Sequence, residues 1–367
     1  MSRSRLHELS EHGVSVWMDT LSREMLETGE LARLMDEDAV VGVTSNPTIF
    51  QKALAEGTWY DEQLREAATD THDPTELFIA LAQEDIRDAC DLMDPVWERT
   101  GGIDGYVSLE VDPTLAYDRE ASFAQAMRFH EEVDRRNLYV KIPGTQPGLG
   151  AIEDCIANGR SINVTLVFSL QRYAEVVEAY LRGLERLVEA GGDLGSVISV
   201  ASFFVSRVDT EADRRLAEVG RPDLQGRLAI ANAKLAYEHW GKAFSGQRWA
   251  SLEAKGARTQ RCLWASTSTK NPAYRDVLYV EELIGPDVVN TMPAETIRAF
   301  QDHGEVRDTL TAGVDEARAL LEELSAAGVD YDDVVETLER EGVQKFSDSF
   351  DELREGITAK LAVVGAR

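Results

Sequence analysis

Short apolar segments recur along the chain and alternate with longer stretches in which apolar residues return every three to four positions. The short segments are rich in β-branched and aromatic residues, which is typical of buried strands. There are eight of them: Val14–Asp19, Val40–Ser45, Gly105–Val111, Leu138–Ile142, Ser161–Phe168, Val197–Phe203, Arg261–Ser266 and Asp287–Thr291. The longer stretches have the period of amphipathic helices. They include Thr75–Trp97, Ala121–Arg135, Gln171–Ala190, Leu228–Phe244 and Ala273–Leu283.

Strands that alternate with helices predict a parallel sheet, and eight such strands are the number that closes a (β/α)8 TIM barrel. An open doubly wound sheet is the main alternative. It is less favoured because no strand is followed by a G-x-G-x-x-G or G-x-x-x-x-G-K-[ST] segment. The predicted fold class is therefore α/β, a (β/α)8 barrel with additional C-terminal helices.

The additional helices are expected in two regions, around 51–104 and 292–367. The first region is long enough for two or three helices, and the second has helical periodicity only, including Val306–Ala327 and Asp332–Leu353. No segment rich in Pro, Gly or Ser precedes the second region, so these helices should pack on the barrel. The sequence thus predicts one domain over residues 1–367.

The composition narrows the choice of partners. The formal net charge of −28 argues against a nucleic-acid partner, because no basic face is available to neutralise phosphates. A small anionic substrate would need a local cationic pocket that works against the overall negative field. No apolar run approaches the roughly 18 residues of a membrane span, and the N-terminus lacks the apolar core of a signal peptide.

The three cysteines, Cys90, Cys155 and Cys262, are odd in number and widely spaced. They form neither a metal-ligand spacing nor a disulfide framework, which is typical of a reduced compartment. We therefore expect a cytoplasmic protein that does not bind membranes.

Lys141 occupies an unusual position for a lysine. It stands inside Leu138–Ile142, a β-branched and aromatic segment that is closed by Pro143 and Gly144. Lysine is almost never buried without a partner, and burial favours the neutral amine, which is a nucleophile toward carbonyl carbons. A buried ion pair and a lysine that extends outward from a strand end are the structural alternatives.

Polar residues end or interrupt several predicted strands, and in a barrel of this class the chemistry takes place at the carboxyl ends of the strands. Alone, each has a structural explanation. Asp19 would cap a helix, Asn46 would form an Asx-turn, and Glu110 would pair with a core arginine. Asn163 and Thr165 would satisfy each other in the barrel wall. Together, two carboxylates, a lysine, and hydroxyl and amide groups match the needs of Schiff-base chemistry on a polyhydroxylated substrate.

Other kinds of catalytic site have little support in the sequence. None of the six histidines ends a predicted strand, which argues against a histidine metal site or a Ser-His-Asp triad. No H-E-x-x-H or C-x-x-C motif occurs. We expect neither a metal nor a cofactor.

Several segments, taken in order, resemble the transaldolases in their longer bacterial form. They are Trp17–Arg23, Gly42–Thr48, Val107–Pro113, Val140–Pro143, Asn163–Leu166, Ala201–Arg207 and Trp264–Ser266. That family is a (β/α)8 barrel whose Schiff-base lysine is on the fourth strand, where Lys141 lies. The resemblance implies transfer of a dihydroxyacetone unit from sedoheptulose 7-phosphate to glyceraldehyde 3-phosphate. The products would be erythrose 4-phosphate and fructose 6-phosphate, in the non-oxidative pentose phosphate pathway and without a cofactor.

The resemblance also implies roles for individual residues. Lys141 would attack the ketose carbonyl. Glu110 and Thr165 would hold a water for proton transfer, and Asp19 would be the base that starts carbon–carbon cleavage. The residues that match substrate-binding positions are Asn46, Asn163, Ser202, Phe204, Arg207 and Ser266.

The phosphate-binding positions depart from the family pattern. Arg207 and Ser266 match, but the second arginine expected two residues after Ser266 is replaced by Ser268. Lys270 is the cation near that strand end, and we expect it to supply the missing charge.

Two other functions remain open at this level. One is a Schiff-base aldolase that releases dihydroxyacetone to water, which needs the same lysine and acid–base residues. The other is a non-catalytic barrel that binds sugar phosphates, although a binding site gains little from a desolvated amine. In each case the expected partners are phosphorylated sugars, and the chain is expected to be a monomer or a homodimer.

Overall fold

The computed structural model describes residues 4–45, 50–51, 53–54 and 57–364. Eight parallel strands close into a barrel in which each strand pairs with its neighbour in sequence and β8 pairs with β1. The strands are β1 (Val14–Met18), β2 (Val40–Thr44), β3 (Tyr106–Glu110), β4 (Leu138–Pro143), β5 (Ile162–Val167), β6 (Ser199–Phe204), β7 (Arg261–Ala265) and β8 (Val288–Met292). The predicted (β/α)8 barrel is confirmed, and the predicted strand ends agree with the structure to within two residues.

Helices surround the barrel. They are α1 (Arg5–Glu11), α2 (Arg23–Glu27), α3 (Glu30–Glu37), α4 (Asp61–Ala67), α5 (Pro74–Arg99), α6 (Arg119–Val133), α7 (Gln146–Ala157), α8 (Leu170–Glu189), α9 (Ser206–Glu218), α10 (Leu228–Ala243), α11 (Gly246–Glu253), α12 (Leu278–Glu281), α13 (Ala294–His303), α14 (Val314–Ala326) and α15 (Tyr331–Val364). No helix in the described part of the chain is long and apolar enough to cross a membrane.

Two helices are shorter in the structure than the sequence pattern predicts. The prediction over Ala273–Leu283 is wrong for most of its length, because the Asn271 side chain accepts a hydrogen bond from the Ala273 amide and closes a turn, so that only α12 is helical. The prediction over Val306–Ala327 is wrong before α14. There the amides of Thr309 and Leu310 donate to the carbonyl oxygen of Ile284 instead of forming helical bonds.

The amino end of the barrel is filled by buried side chains. Arg261 is 5% exposed and its guanidinium lies 2.9 Å from the Asp104 carboxylate, while it also donates to the Ser15 hydroxyl. The rings of Tyr106 and Tyr139 stack with their centroids 4.3 Å apart. Because this end is packed, a ligand inside the barrel has to enter from the opposite, carboxyl end.

The C-terminal helix α15 packs on the barrel next to its carboxyl end, against β5, α9, α4 and α5. Gly342 allows a close approach there. A Cβ at this position would lie 3.2 Å from Leu166 and 3.4 Å from the ring of Phe168, the residues that end β5 or follow it. Further along α15, the ring of Phe350 packs edge-on against that of Phe78 in α5. The packing therefore brings α15 to the mouth of the barrel.

Gly42 on β2 provides a test of this packing. An added Cβ would lie 2.4 Å from the fully buried indole of Trp17, so Gly42→Ala should lower the free energy of unfolding by about 1–3 kcal/mol. Gly241→Ala is the matched control, since no atom lies within 4 Å of its added Cβ in helix α10. The control should be stabilised by about 0.5–1 kcal/mol. Equal stability of the two variants in urea unfolding would contradict this account.

Candidate active site

A cavity of about 610 Å³ opens at the carboxyl end of the barrel. Eight of the site residues predicted from the sequence line it: Asp19, Lys141, Thr165, Ser202, Phe204, Arg207, Ser266 and Lys270. Glu110 and Asn163 lie in the barrel wall and bond to lining residues, whereas Asn46 lies outside the described residues. The structure therefore brings together all of the proposed site residues that it describes.

Lys141 lies on β4, in register with Glu110 on β3 and Asn163 on β5. The residue is 7% exposed, and its Nζ lies 3.1 Å from Glu110 Oε2. Nζ also donates to the carbonyl oxygen of Ser45 at 3.1 Å. Lys141 thus forms the buried ion pair that was its structural alternative, and it does so in the wall of the cavity.

Glu110 pairs with this lysine and not with the core arginine that the sequence suggested. Burial raises the pKa of Glu110 above its ordinary value, and the neighbouring Lys141 ammonium opposes that shift. The proton affinity of Glu110 therefore depends on the charge that Lys141 carries.

Two buried oxygens in this region have no hydrogen-bond partner among the described residues: Glu110 Oε1 and Thr165 Oγ1. Thr165 and Asn163 do not satisfy each other, which was the structural alternative for these two residues. Asn163 instead accepts from the Ser202 hydroxyl at 2.7 Å and donates to Ser108 Oγ at 3.1 Å. Buried polar atoms are rarely left unpaired in proteins, so the two free oxygens are candidates to bind a small polar molecule.

Asp19 directly follows β1, and its backbone amide donates to the carbonyl oxygen of Met292 at the end of β8. It is not a helix cap, because Ser22 caps α2 by accepting from the Met25 amide. Burial raises the pKa of Asp19 to about 6, although its side chain accepts a hydrogen bond from the Thr20 hydroxyl. A carboxyl that titrates near neutral pH can both accept and return a proton.

Two further cations of the cavity, Arg207 and Lys270, follow β6 and β7. Arg207 is the second residue of α9, and its guanidinium carbon lies 5.0 Å from the centroid of the Phe204 ring and 5.8 Å from that of Phe346. Burial lowers the pKa of Arg207 from its ordinary, very high value. Lys270 is exposed and donates to the Ser268 hydroxyl at 2.6 Å. Neither cation pairs with a carboxylate in the described part of the chain.

Several residues that line the cavity were not predicted from the sequence. Glu24 and Glu295 add negative charge on α2 and α13, and Lys345 and Phe346 come from α15. Phe346 belongs to the periodic apolar face of its helix, but nothing in the local pattern places that face at the mouth of the barrel. No group of three or more His, Cys, Asp and Glu side chains is placed to hold a metal ion in the residues described.

A family model described as Transaldolase/Fructose-6-phosphate aldolase matches residues 16–357. A protein named Transaldolase from Frankia alni is 52% identical over 364 residues, which cover 98% of each chain. One of the same name from Parafrankia sp. is 53% identical over 97% of this chain and 98% of its own. Another, from Acidothermus cellulolyticus, is 52% identical over 97% of this chain and 96% of its own. The similarity therefore includes both the strand ends and most of α15.

The raised pKa of Asp19 predicts a pH-dependent effect on stability. The folded protein binds this proton more tightly than the unfolded chain, whose carboxyl has the ordinary pKa of 3.8. The contribution of Asp19 to the free energy of unfolding is thus most favourable below pH 3.8, and it is lost as the pH rises to about 6. At about pH 7.5, Asp19→Asn should raise the free energy of unfolding by about 1–3 kcal/mol, and near pH 4 most of this gain should disappear.

Asp315→Asn on α14 is the control for this measurement, because its side chain is 98% exposed in a surface ion pair. It should change the free energy of unfolding by less than about 0.5 kcal/mol at either pH. Urea unfolding of both variants and the unchanged protein at the two pH values measures the difference. An Asp19→Asn variant no more stable than the unchanged protein at about pH 7.5 would argue against the burial of this charge.

Proposed function

The chain belongs to the transaldolase/fructose-6-phosphate aldolase family, and from that membership we propose that it catalyses the transaldolase reaction. The resemblance found in the sequence is thereby confirmed. The chain would transfer a dihydroxyacetone unit from sedoheptulose 7-phosphate to glyceraldehyde 3-phosphate, giving erythrose 4-phosphate and fructose 6-phosphate. The structural observation that carries the proposal is a lysine that is buried in the cavity wall and ion-paired to a carboxylate.

The ion pair supports a route to the Schiff base. Glu110 Oε2, 3.1 Å from Lys141 Nζ, accepts a proton from the ammonium, and the free amine then attacks the ketose carbonyl. Once Lys141 is neutral, it no longer lowers the pKa of Glu110, so burial keeps the proton on the carboxyl. The attacking nitrogen passes a proton to the former carbonyl oxygen, which gives the neutral carbinolamine. Glu110 then protonates its hydroxyl, which leaves as water, and the iminium forms.

Thr165 would assist Glu110 through a bound water. Glu110 Oε1 and Thr165 Oγ1 are the two buried oxygens without a partner in the described residues, and a water between them would satisfy both. Such a water would carry the proton between the carboxyl and the carbinolamine hydroxyl. This is the role that the family resemblance implies for the pair.

Asp19 would act in the cleavage step. Its carboxylate removes the proton of the substrate hydroxyl, the neighbouring carbon–carbon bond breaks, and the iminium takes up the electron pair as an enamine. Erythrose 4-phosphate leaves, the enamine attacks the aldehyde of glyceraldehyde 3-phosphate, and Asp19 returns its proton to the new hydroxyl. Water then hydrolyses the iminium, which releases fructose 6-phosphate and frees Lys141. A pKa of about 6 suits a group that must work in both directions.

The remaining residues would hold the substrate. Asn163 and Ser202, which are hydrogen-bonded to each other, would orient the dihydroxyacetone hydroxyls, and Asn46 is proposed for the same role. Phe204, 8% exposed, would form an apolar wall. Arg207, with Ser266 and Lys270, would bind the phosphate.

The proposal extends to the whole chain. Packing of α15 against β5 and α9 supports a single domain over residues 1–367. The thiols of the three cysteines are buried and free, which supports a reduced, cytoplasmic location. The net charge of −28 argues against nucleic acid as a partner. The expectation of a monomer or homodimer stays a prediction.

A second candidate function is the aldolase reaction, in which the enamine takes up a proton instead of attacking an aldose, and hydrolysis of the iminium releases dihydroxyacetone. The description of the matching family covers both activities, and both use the same lysine. The names of the relatives that align over nearly the full chain favour transfer.

Trapping with borohydride tests the Schiff base. With fructose 6-phosphate and sodium borohydride, mass spectrometry of peptides should find a reduced adduct on Lys141. Lys234 is the internal control, because it is also buried, at 8% exposure, but it lies on α10 with its Nζ 3.5 Å from Glu282. Lys141→Met should form no adduct. An unmodified Lys141 in the unchanged protein would rule out this mechanism.

The acceptor dependence separates the two candidate functions. Without an aldose acceptor, a transaldolase should consume only about one fructose 6-phosphate per active site, because the enamine has no aldehyde to attack. Adding erythrose 4-phosphate should start continuous turnover, with sedoheptulose 7-phosphate as product. Free dihydroxyacetone that accumulates over many turnovers without an acceptor would establish the aldolase instead. Lys141→Met should show neither reaction.

A further inference from the structure

Three cations at the mouth of the barrel have no carboxylate partner in the described part of the chain: Arg207, Lys270 and Lys345. The protein as a whole carries a net charge of −28, and most of its arginines lie in ion pairs on the surface. Three unpaired cations around one cavity therefore create a local field opposite to that of the rest of the molecule. Such a field is what an anionic ligand requires.

The position of Lys345 follows from the packing of α15. Gly342, Lys345 and Phe346 are separated by three and four residues, so they lie on one face of the helix. Gly342 packs closely on Leu166, and the ring of Phe346 lies beneath the guanidinium of Arg207. Gly342 and Phe346 are thus both packed against the carboxyl end of the barrel. Lys345, on the same face of the helix, therefore lines the cavity.

The charges around the mouth are divided by sign. Glu24 and Glu295 come from α2 and α13, which follow β1 and β8. Arg207 and Lys270 follow β6 and β7, and Lys345 is on the helix that packs on β5 and α9. A phosphate dianion would be repelled from the first side and attracted to the second, so the division also fixes the direction in which a sugar phosphate lies.

We propose that Lys345 of the C-terminal helix binds the substrate phosphate together with Arg207, and supplies charge that the strand-end position Ser268 lacks. The inference rests on the proposed function, because it names a further binding residue for the same sugar-phosphate site. It makes α15 part of the site, so that phosphate binding joins the last helix of the chain to the barrel. Lys345 is a specificity residue for phosphorylated substrates and does not touch the reacting carbons.

The test uses Lys345→Met, which removes the charge and retains an unbranched apolar side chain. With sedoheptulose 7-phosphate as the saturating donor, kcat/KM for glyceraldehyde 3-phosphate should fall roughly tenfold, chiefly through KM. The value for unphosphorylated D-glyceraldehyde should stay within about twofold, since no phosphate of that acceptor is bound. Lys270→Ala, measured in parallel, should give a loss of the same kind if Lys270 also contacts the phosphate.

Two further variants exclude a merely structural effect. Lys345→Arg should retain most of the activity, and Ser268→Arg in the Lys345→Met background should recover it, by placing a cation on the strand-end side of the same cavity. Lys255→Met is the matched control for loss of an exposed lysine. This lysine precedes β7 at the amino end of the barrel and should have no effect on either acceptor.

Titration with inorganic phosphate in a calorimeter provides a readout that needs no turnover. The unchanged protein should bind phosphate, and Lys345→Met should bind it roughly tenfold more weakly, even if borohydride trapping shows that the proposed reaction is wrong. Equal phosphate affinity of the two proteins would overturn the role of Lys345. So would an equal loss of kcat/KM with both acceptors, which would mean that the residue only supports the fold.

Discussion

The ion pair between Lys141 and Glu110 is the interaction on which the rest of the site depends. The two side chains are only 8% and 3% exposed, and their charged atoms are 3.1 Å apart. Neither charge could be buried there alone, because desolvation of an unpaired ion costs roughly several kcal/mol. The parallel register of β3 and β4 places the two residues side by side, so the barrel itself maintains the pair. The pair keeps an amine and a base within reach of one proton transfer.

In the wall around this pair, some polar atoms have all their hydrogen bonds and others have no hydrogen-bond partner among the residues described. Asn163 is bonded at both ends of its amide, which holds it in one orientation. Glu110 and Thr165 each keep one buried oxygen without a partner in the described residues, and Asp19 has a pKa raised by burial. These groups cost stability and are of use only in chemistry, as expected where function and stability compete. At the opposite, amino end of the barrel the rings of Tyr106 and Tyr139 stack on each other, away from these groups.

The strands and long helices could be predicted because their signals are local. A β-branched segment buried on both faces reads as a strand wherever it lies, and the ends of all eight were predicted to within two residues. The two overlong helix predictions fail for the opposite reason. Around Asn271 and Thr309, hydrogen bonds to a side chain and to the distant carbonyl of Ile284 compete with helical bonds, and periodicity does not detect this competition.

The sequence by itself determined that a lysine lies on the fourth strand of a barrel, and that carboxylates and hydroxyls end the neighbouring strands. Only the tertiary structure decided which groups meet. It paired Lys141 with Glu110 and not with solvent, and among the residues described it left the Thr165 hydroxyl without a partner although a polar neighbour was close in sequence. It also brought Phe346 from the last helix onto Arg207. Contacts between residues so far apart depend on register and packing, which no local pattern encodes.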